Sequence, residues 1–276
     1  MEFDELDPIG TEESPRRHFR SRRLQRGVYL LPSACTVANI LCGYYAILAT
    51  LDGRIADYDH AACAIGFAYI FDSLDGKLAR TMGTESSFGK EFDSLADIVS
   101  FGLAPAFLAY AWGVRAAAAA NAPEAFHLIQ LGWLIGFFFV VCCAWRLARF
   151  NIHGMAPGDN RFFVGMPTPA AAGMVASVVH FVQNPIQDPR FSLLWLVLLL
   201  ALGVLMSSSF RYYTPKNVQW TKRQPSVAVV MLALLIGAIV YFSRITLLTI
   251  TSVYALHGIV LQLVRVVRHR IATRHA

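Results

Sequence analysis

Eight stretches of this chain are apolar and long enough to cross a lipid bilayer. A hydrocarbon core of about 30 Å requires roughly 17 to 25 residues of helix. Runs of this kind are found at residues 28–51, 59–79, 95–114, 127–148, 168–184, 191–209, 226–243 and 245–264. The composition agrees, because 56% of the residues are hydrophobic, only 15% are charged and the mean hydropathy is +0.48. These values lie outside the range of ordinary soluble domains. The sequence therefore predicts an all-α, polytopic transmembrane helix bundle of about eight spans, with no separate soluble domain.

The distribution of Lys and Arg predicts which ends of the spans face the cytoplasm. If the eight runs are eight crossings, all but four of the 24 Lys and Arg residues fall on the side of the N-terminus. The four exceptions are Arg54, Arg115, Arg190 and Arg244. Because cytoplasmic loops are enriched in Lys and Arg, both ends of the chain are predicted to be cytoplasmic. The turn of the last pair would be only about Ser243-Arg244, so this pair could instead be one long tilted helix or a re-entrant element.

The chain divides into three parts by charge and hydropathy. Residues 1–15 are acidic and lack the basic start and apolar stretch of a secretory signal, so they are predicted to be a disordered tail. Residues 16–27 are rich in Arg and would meet anionic headgroups, either as a topology signal alone or as a lipid-binding segment. We assign 1–27 to a cytoplasmic N-terminal segment, 28–216 to a membrane core, and 217–276 to an additional membrane hairpin with a basic tail.

Cysteine and histidine form no recognisable metal or redox motif. The five cysteines all fall inside predicted spans without C-x-x-C spacing, which is typical of small apolar packing residues. The eight histidines are scattered and lack the H-E-x-x-H spacing of a zinc site. Spacing along the chain therefore gives no indication of bound zinc.

Four aspartates lie at the adjoining ends of two consecutive predicted spans, where ionisable side chains are costly and usually functional. The second span ends IFDSLDGKLAR, which contains Asp72 and Asp75, and the third begins FGKEFDSLADIVSFG, which contains Asp93 and Asp97. Steps of three and four residues place each pair on one helix face. Two adjacent antiparallel helices would therefore direct all four carboxylates into one pocket near the cytoplasmic side.

Four carboxylates that lie close together imply a bound cation, since they cannot all stay ionised in a low dielectric without one. An all-oxygen ligand set favours Mg²⁺ or Mn²⁺ over zinc. Gly76 and Gly89, on the same two helices, would let a ligand or a neighbouring backbone come close. The alternative is that single aspartates cap helix ends or pair with Lys77, Arg80 or Lys90.

Residues 72–97 resemble the signature of the CDP-alcohol phosphotransferase family, D-x2-D-G-x2-A-R-x8-G-x3-D-x3-D. All eight fixed positions match, and they are Asp72, Asp75, Gly76, Ala79, Arg80, Gly89, Asp93 and Asp97. The resemblance implies an integral multi-pass membrane enzyme whose site faces the cytoplasm. If the source is a prokaryote, this places the enzyme in the inner or plasma membrane. In this reaction a hydroxyl attacks the lipid-linked phosphorus of a CDP-alcohol and CMP leaves. Such a transfer needs charge neutralisation at the diphosphate, in-line positioning and a base.

The resemblance also implies a role for each signature residue. Asp72, Asp75 and Asp93 would bind the metal and the diphosphate, and Asp97 would lie near a second metal or act as the catalytic base. The CDP-lipid pocket would be lined by Asp72, Gly76, Ala79, Arg80 and Gly89. Two polar residues of the first span, Thr36 and Asn39, are one turn apart and either face the nucleotide or pack between helices.

Four further stretches are similar to the phosphatidylserine synthase branch of this family. They are SLADIVSFGLAPA at 94–106, AWRLARFN at 144–151, FFVGMPTPAAAG at 162–173 and SSSFRYYTPK at 207–216. This similarity implies CDP-diacylglycerol as the donor and L-serine as the acceptor. Serine carries a carboxylate that needs a cation. The candidate cations are Arg149 and Lys216, which lie in these stretches, followed by Arg146 and Arg223.

Other functions remain open from the sequence. A different branch of the family, which makes phosphatidylglycerophosphate, phosphatidylcholine or an inositol-phosphate lipid, would use another acceptor with the same CMP release. A cation-coupled transporter would also place aspartates in the membrane, but it predicts broken helices in two repeats, whereas these carboxylates occupy one helix pair. A phospholipase-D-like synthase requires H-x-K pairs, and the sequence has none. The resemblance implies a homodimer among membrane lipids, and nothing predicts a nucleic-acid partner.

Overall fold

The computed structural model describes residues 16–83, 86–120, 125–153, 162–213 and 225–272, and it describes most of the side chains between residues 31 and 262. Within these ranges the chain forms eight helices and two short strands. The helices are α1 (Arg16–Asp52), α2 (Ile55–Met82), α3 (Ser87–Ala120), α4 (Ala125–His153), α5 (Thr168–Val182), α6 (Pro189–Ser207), α7 (Pro225–Tyr241) and α8 (Ser243–Ala272). The strands are β1 (Phe162–Val164) and β2 (Arg211–Tyr213). Each of the eight predicted spans coincides with one helix.

Five of the helical segments are long and apolar enough to cross a membrane. They are Leu31–Asp52, Ser87–Ala120, Phe126–Ile152, Pro189–Ser207 and Ser243–Gln262, and two shorter apolar helices are Thr168–Val182 and Val229–Tyr241. Large apolar side chains such as Leu41, Trp133 and Leu194 are more than half exposed on the outside of the bundle, as expected for a lipid-facing surface. The predicted polytopic helical membrane protein is confirmed. The cytoplasmic position of both ends stays a prediction.

Helix α3 runs through the centre of the bundle and supplies much of the core. Its side chains Phe101, Leu108 and Trp112 are almost completely buried. The helix begins after Ser86, whose hydroxyl accepts a hydrogen bond from the Gly89 N–H at 3.0 Å. Two stretches of α3, Ile98–Leu103 and Ala111–Arg115, have π-helical hydrogen bonding. The first begins directly after Asp97, and such segments are frequent at functional sites.

Helices α1 and α2 form an antiparallel pair that packs against α3 through small side chains. The connection between them is only Gly53-Arg54, and Gly53 has a φ of 74°, which favours glycine. Close approach to α3 depends on Gly43, because a Cβ at this position would lie 2.5 Å from the Ser100 hydroxyl. Small residues at such contacts let helix backbones approach closely in a membrane.

The two short strands were not predicted from the sequence. Antiparallel pairing joins Phe162 to Tyr213 and Val164 to Arg211. The ladder continues into the next residues, because Gly165 N–H donates to the Phe210 carbonyl at 2.7 Å. Three-residue strands are below the length at which alternation can be recognised, and this pair holds together the segments that follow α4 and α6.

Helix α8 is attached to the rest of the bundle along its first half. The Ser243 hydroxyl at its start is 2.9 Å from His180 Nε2 on α5, and Thr251 Oγ1 is 2.8 Å from Ser177 Oγ, also on α5. Further along, Tyr254 stacks on Tyr212 of β2 with 5.6 Å between ring centroids. The Tyr212 ring fills the space that a side chain at position 258 would need, so Gly258 is required for this contact.

The junction of α7 and α8 corrects the predicted turn. It is a bend at Phe242, and Ser243 and Arg244 already belong to α8 rather than forming the turn. Phe242 N–H donates to the Ala238 carbonyl at 2.8 Å, and the Thr246 hydroxyl donates to the same carbonyl at 3.1 Å. Because these hydrogen bonds satisfy the backbone groups at the bend, α7 connects to α8 without a separate loop. The structure therefore also differs from the alternative of one long, uninterrupted helix.

Candidate active site

The adjoining ends of α2 and α3 bring the four predicted aspartates together. One carboxylate oxygen from each of Asp72, Asp75 and Asp93 lies within 4.8 Å of the other two. Asp97, one turn beyond Asp93 on α3, has its carboxyl group within hydrogen-bonding range of Asp72. Asp75 is only 4% exposed and Asp97 only 8%. The cluster follows from the spacing, since steps of three or four residues keep each pair on the inner face of its helix.

Helix α1 supplies polar partners that orient two of these carboxylates. The Thr36 hydroxyl donates to Asp75 Oδ2 at 3.0 Å, and the Asn39 amide donates to Asp97 Oδ1 at 3.4 Å. Asn39 is itself completely buried, and its backbone carbonyl accepts a hydrogen bond from the Ser100 hydroxyl at 2.8 Å. Both residues therefore contact the aspartate cluster directly. Their predicted contact with the nucleotide stays a prediction.

The residues present fit a divalent cation. Three carboxylates within coordination reach form the hard, all-oxygen donor set that Mg²⁺ and Mn²⁺ prefer. Asp93 Oδ1 is buried and has no hydrogen-bond partner among the described residues. None of the four aspartates forms a salt bridge with Lys77, Arg80 or Lys90, all of which have described side chains. A group of buried carboxylates that no described side chain neutralises through a salt bridge is the arrangement that a metal ion completes.

The remaining signature residues continue along the same two helices. Gly76 and Ala79 are half-buried, and Arg80 is exposed beyond them towards the end of α2. A Cβ on Gly76 would meet only the Arg80 guanidinium, at 3.8 Å, so this part of α2 is open to a ligand. Gly89 lies in the exposed first turn of α3. The assignment of these residues to the CDP-lipid stays a prediction.

The four predicted serine-binding cations have different surroundings. Arg146 on α4 is 7% exposed and interacts electrostatically with Asp72 and Asp97. Its terminal N–H donates to the Thr168 hydroxyl at 3.1 Å, whereas its buried Nε has no partner among the described residues. Lys216 and Arg223 lie outside the described residues.

Arg149 is bound to the end of α6. Its guanidinium donates to the carbonyls of Ser207 and Ser208, each at 3.1 Å, and of Met206 at 3.4 Å. These are carbonyls that the helix itself leaves without partners. Gly165, with a φ of 82°, passes so close that a Cβ would lie 2.6 Å from this guanidinium. Arg149 thus joins α4, α6 and the β1 segment, and its predicted contact with serine stays a prediction.

Comparison with known proteins identifies the family. The model of the CDP-alcohol phosphatidyltransferase family matches residues 29–207, which include all four aspartates. The chain belongs to the CDP-alcohol phosphatidyltransferase family. This is the family that the aspartate signature predicted.

Several curated proteins are similar over most of this chain. A CDP-diacylglycerol–serine O-phosphatidyltransferase from Helicobacter pylori is 32% identical over 241 residues, covering 84% of this chain and 91% of the relative. An enzyme of the same name from Mycobacterium leprae is 34% identical, covering 86% of this chain and 76% of the relative. An archaetidylserine synthase from Methanothermobacter thermautotrophicus is 35% identical, covering 66% and 69%.

Two residues at the site of this phosphatidyltransferase were not singled out from the sequence. Ser100 fixes the backbone of Asn39, and Thr168 binds the buried guanidinium of Arg146. Both are hydroxyl residues within predicted spans, where interhelical hydrogen bonds are common. That property marks them as helix contacts, but it does not reveal which helix each one faces.

Proposed function

We propose that this protein transfers a phosphatidyl group from CDP-diacylglycerol to L-serine, giving phosphatidylserine and CMP. The observation that carries the proposal is the cluster of Asp72, Asp75, Asp93 and Asp97 between α2 and α3. Family membership supports the CDP-alcohol chemistry. The choice of serine is supported by the relatives, whose names specify serine or its archaeal lipid product.

The aspartates account for the chemical step. Mg²⁺ or Mn²⁺, when held by Asp72, Asp75 and Asp93, supplies positive charge that neutralises the diphosphate of the donor. Asp97 accepts the proton of the serine hydroxyl, whose oxygen then forms a bond to the lipid-linked phosphorus. The bond from that phosphorus to the CMP oxygen breaks, and CMP leaves. Asn39 holds Asp97 in position through its 3.4 Å hydrogen bond, so that one carboxylate oxygen stays available for the proton.

Arg146 is the cation that we assign to the serine carboxylate. It is buried, it lies near enough to Asp72 and Asp97 to interact with them electrostatically, and its Nε has no hydrogen-bond partner among the described residues. Thr168 fixes the guanidinium from the other side. A charged donor in a desolvated site favours a carboxylate ligand strongly. The carbonyl partners of Arg149 support a structural role for that residue instead.

Arg146→Ala should raise the KM for serine by about 10- to 100-fold, since a hydrogen bond to a charged group contributes about 1.5–3 kcal/mol. The KM for CDP-diacylglycerol should change much less. Arg149→Ala is the matched control, because it removes the same side chain one turn away. It should lower the thermal unfolding temperature and leave the serine KM within a few-fold of the wild type. If the serine KM were raised only in Arg149→Ala, the serine carboxylate would be assigned to Arg149 instead of Arg146.

The acceptor is tested with purified protein, CDP-diacylglycerol, Mg²⁺ or Mn²⁺ and a panel of alcohols. We expect CMP release and a lipid product with serine, and neither with glycerol 3-phosphate, inositol phosphate or choline. Use of glycerol 3-phosphate in place of serine would contradict the proposed acceptor and would leave the family assignment unchanged. Absence of CMP release with every alcohol and both metals would contradict the enzymatic proposal itself.

We also propose that the aspartate cluster faces the cytoplasm and that both ends of the chain lie on that side. The excess of Lys and Arg near the predicted cytoplasmic ends supports this orientation. Single-cysteine labelling in intact cells and in inverted vesicles should report cytoplasm near Thr84 and Asn160, and the opposite side near Asp57 and Ala120. Labelling of position 84 from outside intact cells would reverse the orientation. A homodimer remains a prediction, and the measured mass of the detergent-solubilised protein tests it.

A further inference from the structure

We propose that Asp59, Cys63 and His180 form a second metal site, for Zn²⁺ or a similar transition-metal ion. Asp59 and Cys63 lie one turn apart on α2, and His180 lies near the end of α5. One potential ligand atom from each residue lies within 4.8 Å of the other two. His180 Nδ1 is 2.5 Å from Asp59 Oδ1 and 3.9 Å from Cys63 Sγ. The site is about 20 Å along α2 from Asp72, at the other end of the bundle.

The ligand atoms decide the class of metal. A thiolate, an imidazole and a carboxylate form a mixed sulfur, nitrogen and oxygen set, which suits Zn²⁺ and its neighbours and does not suit Mg²⁺. The aspartate cluster has only oxygen ligands. The two sites therefore select different ions, and one can be filled in the presence of the other. Three protein ligands leave a fourth tetrahedral position for water.

Ser243 completes the arrangement around His180. Its hydroxyl is 2.9 Å from His180 Nε2, on the opposite side of the ring from Asp59 and Cys63. A metal-binding histidine usually donates its other ring N–H to such a partner, which fixes the ring and its tautomer. His180 is largely buried, with 12% of its side chain exposed, so the ring is held by these contacts rather than free to rotate.

Metal binding rearranges the protons of the site in a defined way. Without metal, the carboxylate of Asp59 can only accept, so Nδ1 donates to it, and in the neutral ring Nε2 accepts a hydrogen bond from the Ser243 hydroxyl. With metal, Nδ1 binds the ion and Nε2 carries the ring proton and donates to Ser243 Oγ. Cys63 binds as the thiolate, and its proton is released to solvent. Because Ser243 is the first residue of α8, the ion connects α2 and α5 to the start of that helix.

Cobalt titration of the full-length protein tests the site directly. The purified protein is stripped with a chelator, supplied with excess Mg²⁺ to fill the aspartate cluster, and titrated with Co²⁺ as the probe. We expect one equivalent to bind with the ultraviolet charge-transfer absorption of a cobalt–thiolate bond, which carboxylates cannot produce. The absorption should disappear in Cys63→Ser and persist in Asp93→Asn and in the control Cys42→Ser. Ser243→Ala should weaken binding by about 10- to 100-fold, because it removes only the partner of the ring.

Alkylation of the wild-type protein tests the proposal without any variant. Saturating Zn²⁺ in excess Mg²⁺ should slow the reaction of Cys63 with iodoacetamide at least about tenfold, and a chelator should restore the rate. Cys42, located by peptide mapping in the same sample, should react at the same rate throughout. The proposal is overturned if no cobalt–thiolate absorption appears, if Cys63→Ser retains it, or if Zn²⁺ leaves the alkylation of Cys63 unchanged.

Discussion

Replacing Asp93 by Asn should lower CMP release by more than about 100-fold at saturating substrate concentrations. The change keeps the shape of the side chain and removes the negative charge of one of the three carboxylates that lie within coordination distance. Removing a residue that only hydrogen-bonds to a metal ligand already lowers metal affinity or activity about 10- to 100-fold. Removing a ligand itself should therefore lower the activity further. The remaining activity should require a higher concentration of Mg²⁺ or Mn²⁺, because the weakened site fills less readily.

Asp52→Asn is the matched control for this experiment. Asp52 is an exposed carboxylate at the end of α1, on the side of the bundle away from the cluster. Its replacement should leave both the rate and the metal requirement unchanged. Near-normal turnover of Asp93→Asn at limiting metal would show that Asp93 is not a ligand, and the site would then have to be built from Asp72, Asp75 and Asp97.

Replacing Asp97 by Asn should lower kcat by about 10²- to 10⁴-fold, the usual contribution of a general base. The amide introduced by Asp97→Asn could still accept a hydrogen bond from Asn39, but it could not take the proton of the attacking hydroxyl. The three carboxylates of Asp72, Asp75 and Asp93 remain, so the metal requirement and the KM for CDP-diacylglycerol should change little. Kinetics with metal and donor titrated separately measure both quantities.

The opposite pattern would assign Asp97 a different role. If Asp97→Asn regains near-normal kcat at high metal concentration, Asp97 is a ligand of a second metal ion and the base lies elsewhere. Ser100→Ala is a useful comparison, because it removes the hydrogen bond that fixes the Asn39 backbone while leaving the carboxylate intact. A positioning effect of this kind should reduce kcat far less than loss of the carboxylate itself.

The helices and the aspartate cluster were predictable because both depend on local patterns. Apolar runs of the required length identify the helices, and steps of three or four residues put Asp72 with Asp75 and Asp93 with Asp97. The partners of Arg149 were not predictable, since they are backbone carbonyls of a helix 57 to 59 residues away in the sequence. The Cys63–His180 pair is separated by 117 residues, so no spacing motif could reveal it. The π-helical segments of α3 were also missed, because a change of hydrogen-bond register leaves no composition signal.

The contact between Tyr212 and Gly258 has a consequence for the order in which the protein assembles. The helices that carry the four aspartates leave the ribosome early, and they can pair in the membrane while the rest of the chain is still being made. Tyr212 reaches its final environment only after Gly258 has been synthesised, which at about 5–20 residues per second takes a few seconds more. During that interval the Tyr212 ring of β2 lacks its contacts with Tyr254 and Gly258 of α8. The residues just before β2, which Arg149 of α4 binds, are then incompletely packed. Nascent chains stalled before α8 should therefore have a paired α2 and α3 but a β2 segment that proteases can reach.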